Sequence, residues 1–257
     1  MLNYRIHGEP DPGTLPLIVL HGLLGSLDNW NTFASKQKVD RPVIAIDMRN
    51  HGDSPHVDGM SYTQMVEDIL EVIDHLGFSN IDLMGHSMGG KAAMLLALNH
   101  PQRINHLIIV DIAPVNYPPK FNALLKAMLS MPLDSFTTRR EADKWLAPTV
   151  KHPFERAFLL KNLAWDENKK LVWQCNLQEI ARNYLKITAW SATAELAYSG
   201  EALFISGGKS DYVTTENWSA ALTHFPSAEH IRIEEAGHLP HVETAEVFIG
   251  HVSNHLN

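Results

Sequence analysis

The feature that most constrains this chain is the pentapeptide Gly85-His86-Ser87-Met88-Gly89, which places a serine between two glycines. The apolar run 81–84 before it predicts a buried strand, and the Ala- and Leu-rich run 91–98 after it predicts a helix. A serine at a sharp strand-to-helix turn is typical of a nucleophile elbow, in which the glycines let the backbone turn tightly and expose the hydroxyl. The motif therefore predicts hydrolysis through a covalent serine ester.

Strand and helix patterns alternate around this motif. Apolar runs without polar alternation lie at 17–20, 43–46 and 107–110, and the strand pattern resumes at 202–205 and 231–233. Such runs are typical of strands that are buried on both faces of a parallel sheet. Ser61 and Gln64 have the spacing of a capping box, and the helical pattern that follows ends at Gly77. A last helix is predicted from about 243 to 255.

Residues from about 114 to 197 break this alternation. They contain several helical patterns with no clear strand, together with four of the six tryptophans, which are Trp145, Trp165, Trp173 and Trp190. We expect an α/β core formed by residues 1–113 and 198–257, with residues 114–197 inserted as a helical cap. The alternative is that this segment is simply more core and that its tryptophans pack internally.

Composition narrows the class of protein. The chain has 257 residues, of which 45% are hydrophobic, and this is enough for one substantial core. A net charge of −8 without a basic cluster disfavours nucleic acid as a partner. Cys175 is the one cysteine, so no internal disulfide can form. No signal peptide and no apolar run of the length that a membrane needs are visible, and we expect a cytoplasmic protein without membrane insertion.

A reactive serine needs a histidine as base and a carboxylate that orients this base. His238 lies in a loop between the last strand and the last helix, where it could project over Ser87. His241 is the weaker candidate for the base, and His86 is expected to pack beneath the nucleophile. Asp111 and Asp211 each follow a strand, and either preserves the chain order serine, acid, histidine.

The oxyanion of the reaction needs two backbone N–H donors that are in place beforehand. Met88 follows the nucleophile at the start of a helix, and its N–H is the first predicted donor. The second is the N–H of Leu23, in the loop 21–25 after the first apolar strand. The polar loop 47–54 is expected to brace the site without taking part in the chemistry.

Two segments of the sequence also bear on other types of site. Residues 85–91 also match the front of a phosphate-binding loop, but Ala92 stands where such a loop needs Ser or Thr for Mg²⁺. His238 and His241 are the closest histidine pair, yet Pro240 between them disfavours a metal-binding helix face. We therefore expect neither a metal nor a cofactor.

Five segments together resemble the α/β-hydrolase superfamily and, more narrowly, the YbfF-type bacterial esterases. They are residues 21–30, 47–52, 85–91, 110–115 and 236–238. Many α/β-hydrolases carry the acid three residues after a glycine that ends a later strand, but Ser210 is at that position here. The resemblance implies that Asp111 is the acid. It also implies carboxylic esters with short acyl chains, and acyl-CoA thioesters, as substrates.

The sequence thus predicts an α/β-hydrolase fold with a mostly parallel sheet of eight strands, helices on both sides and an inserted helical cap. The predicted activity is that of a serine carboxylesterase with Ser87, Asp111 and His238 as its triad, acting on a small-molecule ester or thioester. A thioesterase, a C–C bond hydrolase or a perhydrolase would keep the same triad. A non-catalytic binding protein on the same fold is the alternative from another class.

Overall fold

The computed structural model describes residues 1–9, 14–37, 41–193 and 195–257. Residues 10–13 and 38–40 of the predicted core and residue 194 of the predicted cap lie outside the described residues. The strands are β1 (Tyr4–His7), β2 (Leu17–Leu20), β3 (Val43–Ile46), β4 (Ile81–His86), β5 (Ile104–Val110), β6 (Leu163–Trp165), β7 (Leu171–Trp173), β8 (Glu201–Gly207) and β9 (Glu229–Ile233).

The helices alternate with these strands in the first and last thirds of the chain. They are α1 (Asn31–Gln37), α2 (Tyr62–His75), α3 (Met88–Asn99), α4 (Asn122–Leu129), α5 (Arg139–Leu146), α6 (Pro153–Leu159), α7 (Leu177–Arg182), α8 (Tyr184–Thr188), α9 (Thr215–His224), α10 (Pro240–Glu243) and α11 (Ala245–Leu256). Among the residues described, no helix combines the length and the apolar composition that crossing a membrane requires.

The central sheet has the strand order β1-β3-β2-β4-β5-β8-β9, and all neighbours are parallel except β1 and β3. The predicted mostly parallel sheet is confirmed, but the predicted count of eight strands is wrong, because the described part of the chain has seven in this sheet. The six strands that the apolar patterns indicated are all present. The seventh is β1, which the patterns missed because its residues are exposed or only partly buried.

Helices cover both faces of the sheet because successive strand residues point to opposite sides. On one face Ile18 and Leu20 pack in a cluster with residues of α2 and α3. On the other face Leu17 and Val19 pack with Phe33 of α1 and with residues of α11. The continuous apolar run of β2 is thus explained by burial on both sides.

The helix α2 begins and ends as its sequence predicts. The Ser61 hydroxyl accepts from the N–H of Gln64 at 3.3 Å, and the Gln64 side chain accepts from the N–H of Ser61 at 3.1 Å. This reciprocal pair is a capping box. Gly77 follows the last turn with φ +78°, a conformation that side chains disfavour. Both ends of the helix are thus fixed by local sequence.

The segment 114–197 contains α4 to α8 and a two-stranded antiparallel hairpin of β6 and β7. The segment, in which the sequence showed no clear strand pattern, thus contains two short strands besides its helices. The hairpin strands have three residues each and pair only with one another, so they gave no periodic signal of useful length. Trp145 and Trp165 in this segment are 41% and 47% exposed.

The same segment lies against loops at the carboxyl ends of the core strands. The side chain of Asn162 donates to the carbonyl of Leu24, after β2, at 2.6 Å. The carboxylate of Glu179 accepts from the N–H of Gly59, after β3, at 2.8 Å. Carboxyl ends of parallel strands are where α/β sheets place their sites. The segment therefore lies beside the edge that carries Ser87.

Candidate active site

The register of three neighbouring strands brings the first site residues to one level. His86 of β4 pairs with Val110 of β5, and Val110 pairs with Ile205 of β8. The residues that follow these three are Ser87, Asp111 and Ser206, and they emerge side by side at the carboxyl edge. Because β5 is the direct neighbour of β4, Asp111 starts next to Ser87.

The backbone of Ser87 is strained in the way that an elbow requires. Its φ of 52° and ψ of −114° lie outside the common regions, and its N–H donates to the carbonyl of Val110 at 3.0 Å. Such a conformation costs about 1 to 3 kcal/mol and persists only where the surroundings impose it. Gly89 provides part of this constraint, because a Cβ there would lie 2.6 Å from the carbonyl oxygen of His21. The first turn of α3 thus packs directly on the end of β2.

His238 bridges Ser87 and Asp111. Its Nε2 lies 3.2 Å from the Ser87 hydroxyl oxygen, and its Nδ1 lies 2.6 Å from Oδ2 of Asp111. A carboxylate can only accept, so Nδ1 carries a proton and donates it to Asp111. In the neutral ring, Nε2 is then free to accept the hydroxyl proton. Asp111 is fully buried, whereas His238 is partly exposed.

The structure brings Asp111, and not Asp211, to the histidine. Besides His238, the Asp111 carboxylate accepts from the N–H of Gly207 at 3.0 Å and from the hydroxyl of Ser210 at 2.5 Å. Asp211 instead forms an ion pair with Lys120 on the surface, where its side chain is 68% exposed. Ser210 was not predicted as a site residue, although its place three residues after Gly207 was a signal.

Two further rings surround His238. Tyr212 stacks on it with 4.1 Å between ring centroids and 18° between planes, a contact that the sequence did not indicate. His86 donates from Nε2 to the carbonyl of His238 at 2.8 Å, in keeping with the expectation that it packs near the nucleophile. Burial lowers the pKa of His86 and raises the pKa of Tyr212 to about 12. Both rings are therefore neutral at pH 7.

His241, the weaker candidate for the base, lies elsewhere in this cluster. It is buried and stacks on Trp30 with 4.5 Å between ring centroids. Burial lowers its pKa to about 3, so it stays neutral at pH 7. Its position against Trp30 is that of a packed core side chain.

The loop 21–25 lies directly against Ser87. A Cβ at Gly22 would be 2.7 Å from Nδ1 of His86 and 3.2 Å from Cβ of Ser87. Within the described residues, the N–H groups of Leu23 and Met88 have no acceptor. Unpaired N–H groups beside a serine hydroxyl are what an oxyanion site needs.

The loop 47–54 holds the loop 21–25 through two histidines. His51 accepts the N–H of Leu24 at Nε2, at 3.1 Å, and its Nδ1 donates to the carbonyl of Arg49 at 2.9 Å. His21 accepts the N–H of Met48 at Nε2, at 2.9 Å. Burial lowers the pKa of His51 to about 3 and that of His21 to about 4. Both rings remain neutral, which leaves Nε2 free to accept. The expected bracing contacts of this loop are present.

Among the described residues, no three His, Cys, Asp or Glu side chains converge in an arrangement that could hold a metal ion. The groups that meet at Ser87 are instead a hydroxyl, an imidazole and a carboxylate, with the loop 21–25 beside them. This set is able to carry out acyl transfer.

Comparison with known proteins places the fold in a family. Residues 16–245 match the family model described as the alpha/beta hydrolase fold. The chain belongs to the α/β-hydrolase family. The fold class predicted from the sequence is thereby confirmed.

Several of the similar proteins are named esterases or lipases. The hydrolase is 33% identical to the esterase YbfF of Escherichia coli, over 94% of this chain and 93% of that protein. It is 39% identical to the mouse (Mus musculus) sn-1-specific diacylglycerol lipase ABHD11, over 95% of this chain and 81% of that protein. Among solved structures, a marine microorganism esterase matches with a TM-score of 0.94 and 35% identity, covering 98% of both chains. The predicted resemblance to YbfF-type esterases is confirmed.

Proposed function

We propose that this hydrolase cleaves carboxylic esters through an acyl-enzyme formed on Ser87. Its family and its esterase and lipase relatives make it a carboxylic ester hydrolase. The observation that carries the finer proposal is the line of contacts from Ser87 through His238 to Asp111, at 3.2 Å and 2.6 Å. These distances suit a serine, its general base and the acid that orients this base.

In the first step, Ser87 attacks the ester carbonyl while His238 takes the hydroxyl proton at Nε2. Asp111 keeps the proton of His238 on Nδ1 and stabilises the imidazolium that forms. The stacked, neutral ring of Tyr212 adds a favourable face for this cation. Since His86 and His241 stay neutral, the positive charge of the histidine cluster develops on His238.

The carbonyl oxygen becomes negatively charged in the tetrahedral intermediate. We assign the N–H groups of Leu23 and Met88 as its hydrogen-bond donors. Their lack of other acceptors supports this role, as does the position of Met88 at the start of α3. Positioned donors of this kind contribute about 3 to 4 kcal/mol of transition-state stabilisation each.

The alkoxide of the leaving alcohol takes its proton from His238 as the C–O bond breaks. His238 is then neutral again and activates a water molecule, which attacks the acyl carbonyl and releases the carboxylic acid. In this last step His238 takes a proton from the water and donates it to the Ser87 oxygen as the acyl bond breaks. The cycle consumes one ester and one water, and it yields one alcohol and one acid without an external cofactor.

The substrate class is part of the proposal. We propose that residues 114–197 form a cap over the core of residues 1–113 and 198–257, and that this cap limits the acyl chain. Esters with short acyl chains are the predicted substrates, with acyl thioesters as a second group. One relative is named a diacylglycerol lipase, so a diacylglycerol belongs in the substrate panel. The cytoplasmic location also stays a prediction of the sequence.

The decisive variant is Ser87→Ala. We expect hydrolysis of p-nitrophenyl butyrate to fall roughly 10⁶-fold, because the nucleophile is lost, while the far-UV circular dichroism spectrum stays unchanged. A fluorophosphonate should label the wild-type protein and not the variant. Activity of the variant near that of the wild type would refute Ser87 as nucleophile. Absence of labelling in the wild type would favour a non-catalytic binding protein.

A further inference from the structure

Lys91 is a buried cation that the proposed reaction does not use. It lies in α3, one turn after Ser87, and its backbone N–H donates to the Ser87 carbonyl at 3.0 Å. Its side chain is 1% exposed. Lysine is almost never buried without a partner, because an ammonium loses its hydration there. The burial of this ammonium therefore needs an explanation in terms of its partners.

Three backbone carbonyls surround the ammonium. Nζ lies 2.8 Å from the carbonyl oxygen of Val115, 2.9 Å from that of Thr188 and 2.9 Å from that of Ala189. An ammonium has three protons, so every donor is used. The lysine of a phosphate-binding loop needs donors that are free to bind phosphate. In Lys91 all three donors bind backbone carbonyls, so the match of residues 85–91 to such a loop does not reflect phosphate binding.

The three carbonyls belong to two stretches of chain near the two ends of the segment 114–197. We call these stretches the outgoing crossing, 113–117, and the returning crossing, 187–190. The N–H of Tyr117 donates to the carbonyl of Thr188 at 2.9 Å, so the crossings also touch one another. Lys91 thus binds both connections at once from a helix of the core.

Aromatic rings complete the surroundings of the ammonium. Nζ lies 4.9 Å from the ring centroid of Tyr117 and 5.9 Å from that of Tyr62, distances at which a cation is attracted to a ring face. The hydroxyl of Tyr62, in α2, donates to the carbonyl of Ile187 at 2.6 Å. Within the described chain, no carboxylate forms an ion pair with Lys91. The ammonium is therefore held by crossings and rings alone.

The crossings border the catalytic residues. The hydroxyl of Tyr117 donates to the carbonyl of Tyr212 at 2.6 Å, and the ring of Tyr212 stacks on His238. The hydroxyl also accepts from the N–H of Ala113, two residues after Asp111, at 3.0 Å. A shift of the outgoing crossing would change the wall of the space beside Ser87.

Stability alone does not explain a lysine at this position. A buried ammonium without a counter-charge costs folding free energy, and an apolar side chain of similar volume would avoid that cost. An apolar side chain such as methionine, however, has no donor that could bind the three carbonyls of the two chain segments. The arrangement favours a role in positioning.

We propose that Lys91 is a positioning residue that fastens both crossings to α3 and so fixes the segment 114–197 over Ser87. This inference goes beyond the proposed function, and only its kinetic readout rests on that function. Ser87, Asp111 and His238 are held by core strands and their loops. Loss of the ammonium should therefore weaken substrate binding more than it slows the chemical steps.

The first test is Lys91→Met, with Lys36→Met as the matched control at an exposed lysine of α1. We expect hydrogen exchange of amides in both crossings to speed up at least about tenfold, with amides of β3 unchanged. With p-nitrophenyl butyrate we expect KM to rise about tenfold and kcat to change less than about threefold. Lys36→Met should match the wild type in each measurement. Wild-type exchange in both crossings, together with wild-type KM, would overturn the proposal.

A second measurement needs no substitution and covers the case that Lys91→Met does not fold. Burial lowers the pKa of Lys91 to about 7, so raising the pH from 6 to 9 converts its ammonium to an amine with one donor fewer. Burial raises the pKa of Tyr62 and of Tyr117, and both stay neutral over this range. After correction for intrinsic rates, we expect protection of the crossings to fall at least about threefold relative to β3. Equal protection at both pH values would contradict the role of the ammonium.

The exchange measurements do not depend on activity. If the wild-type protein hydrolyses no ester, the proposed function fails, and the exchange in the crossings still decides the role of Lys91. If the wild type is active and exchange is unaffected, the proposed function stands and the role of Lys91 fails.

Discussion

The sheet edge that carries Ser87 and the segment 114–197 beside it are held in different ways. At the edge, backbone approaches closely to backbone, and four of the five non-glycine residues with positive φ in the described chain lie there, namely Leu24, Asn50, Ser87 and Asp111. In the segment, helices are short, and six large apolar side chains are exposed: Leu129, Trp145, Phe154, Trp165, Val172 and Leu185.

Charge follows the same division. Twelve of the 21 Lys and Arg residues lie between 114 and 197, but only eight of the 29 Asp and Glu residues do, so the segment is basic and the rest of the chain is acidic. The core instead buries histidines, and burial keeps His21, His51, His86 and His241 neutral by lowering the pKa of each. The difference teaches that Ser87 and Asp111 are held by close backbone contacts at the sheet edge, whereas the segment presents basic and apolar side chains on its surface.

Among the substitutions that test this contrast, the largest expected effect separates the two aspartates. Asp111→Asn should lower kcat/KM for p-nitrophenyl butyrate about 10⁴-fold, because an amide stabilises neither the required tautomer of His238 nor its imidazolium. Asp211→Asn should change it less than about fivefold, since an exposed ion pair contributes little. A large loss in Asp211→Asn alone would show that the surface side of this loop, and not the buried edge, orients the base.

Close backbone contact at the edge can be tested with Gly89→Ala. The new Cβ would lie 2.6 Å and 2.7 Å from the carbonyl oxygens of His21 and Leu20, which cannot move without shifting β2. We expect the free energy of unfolding in urea to fall by about 3 kcal/mol. Gly250→Ala in α11 is the matched control, because a Cβ there would have no atom within 4 Å apart from its chain neighbours and the backbone of its own helix. This control should stabilise the protein by up to about 1 kcal/mol. Equal free energies of unfolding for the two variants would contradict close backbone contact between Gly89 and the end of β2.

Acid should destabilise the core through its buried histidines. His241 has a pKa of about 3 in the folded state against 6.5 in the unfolded chain. Between these values the unfolded state binds more protons, so stability falls as the pH drops below 6.5. In His241→Phe, the loss of unfolding free energy from pH 7 to pH 5 should be about 2 kcal/mol smaller than in the wild type. Urea titrations at both pH values check this, and parallel losses would refute it.

The smallest effect is expected on the surface of the segment. The side chain of Leu185 in α8 is 68% exposed, and Leu185→Gln should change the free energy of unfolding by less than about 0.5 kcal/mol. Hydrolysis of p-nitrophenyl butyrate should equal that of the wild type. A loss of unfolding free energy above 2 kcal/mol in a thermal or urea melt would show that this face of α8 is packed. The segment would then resemble the core edge more than its exposed side chains indicate.

Local patterns accounted for most of the core. The apolar runs located six strands within a few residues, because strands buried on both faces leave a continuous signal. The capping box at Ser61 and the glycine after α2 gave both ends of that helix. The strand β1 and the hairpin of β6 and β7 were not predicted. Short, partly exposed strands depend on pairing with other strands and leave little periodic pattern in their own sequence.

The sequence by itself determined the elbow at Ser87 and the histidine that reaches it, since both follow from residue types at strand ends in a fixed chain order. Residue types and spacing alone did not decide between Asp111 and Asp211 as the partner of His238. The register of β4, β5 and β8 brings the Asp111 carboxylate to His238. The contacts of His51 and of Lys91 were likewise decided by tertiary structure. The physical reason is that a side chain's chemistry is local, whereas its partners depend on how distant segments pack.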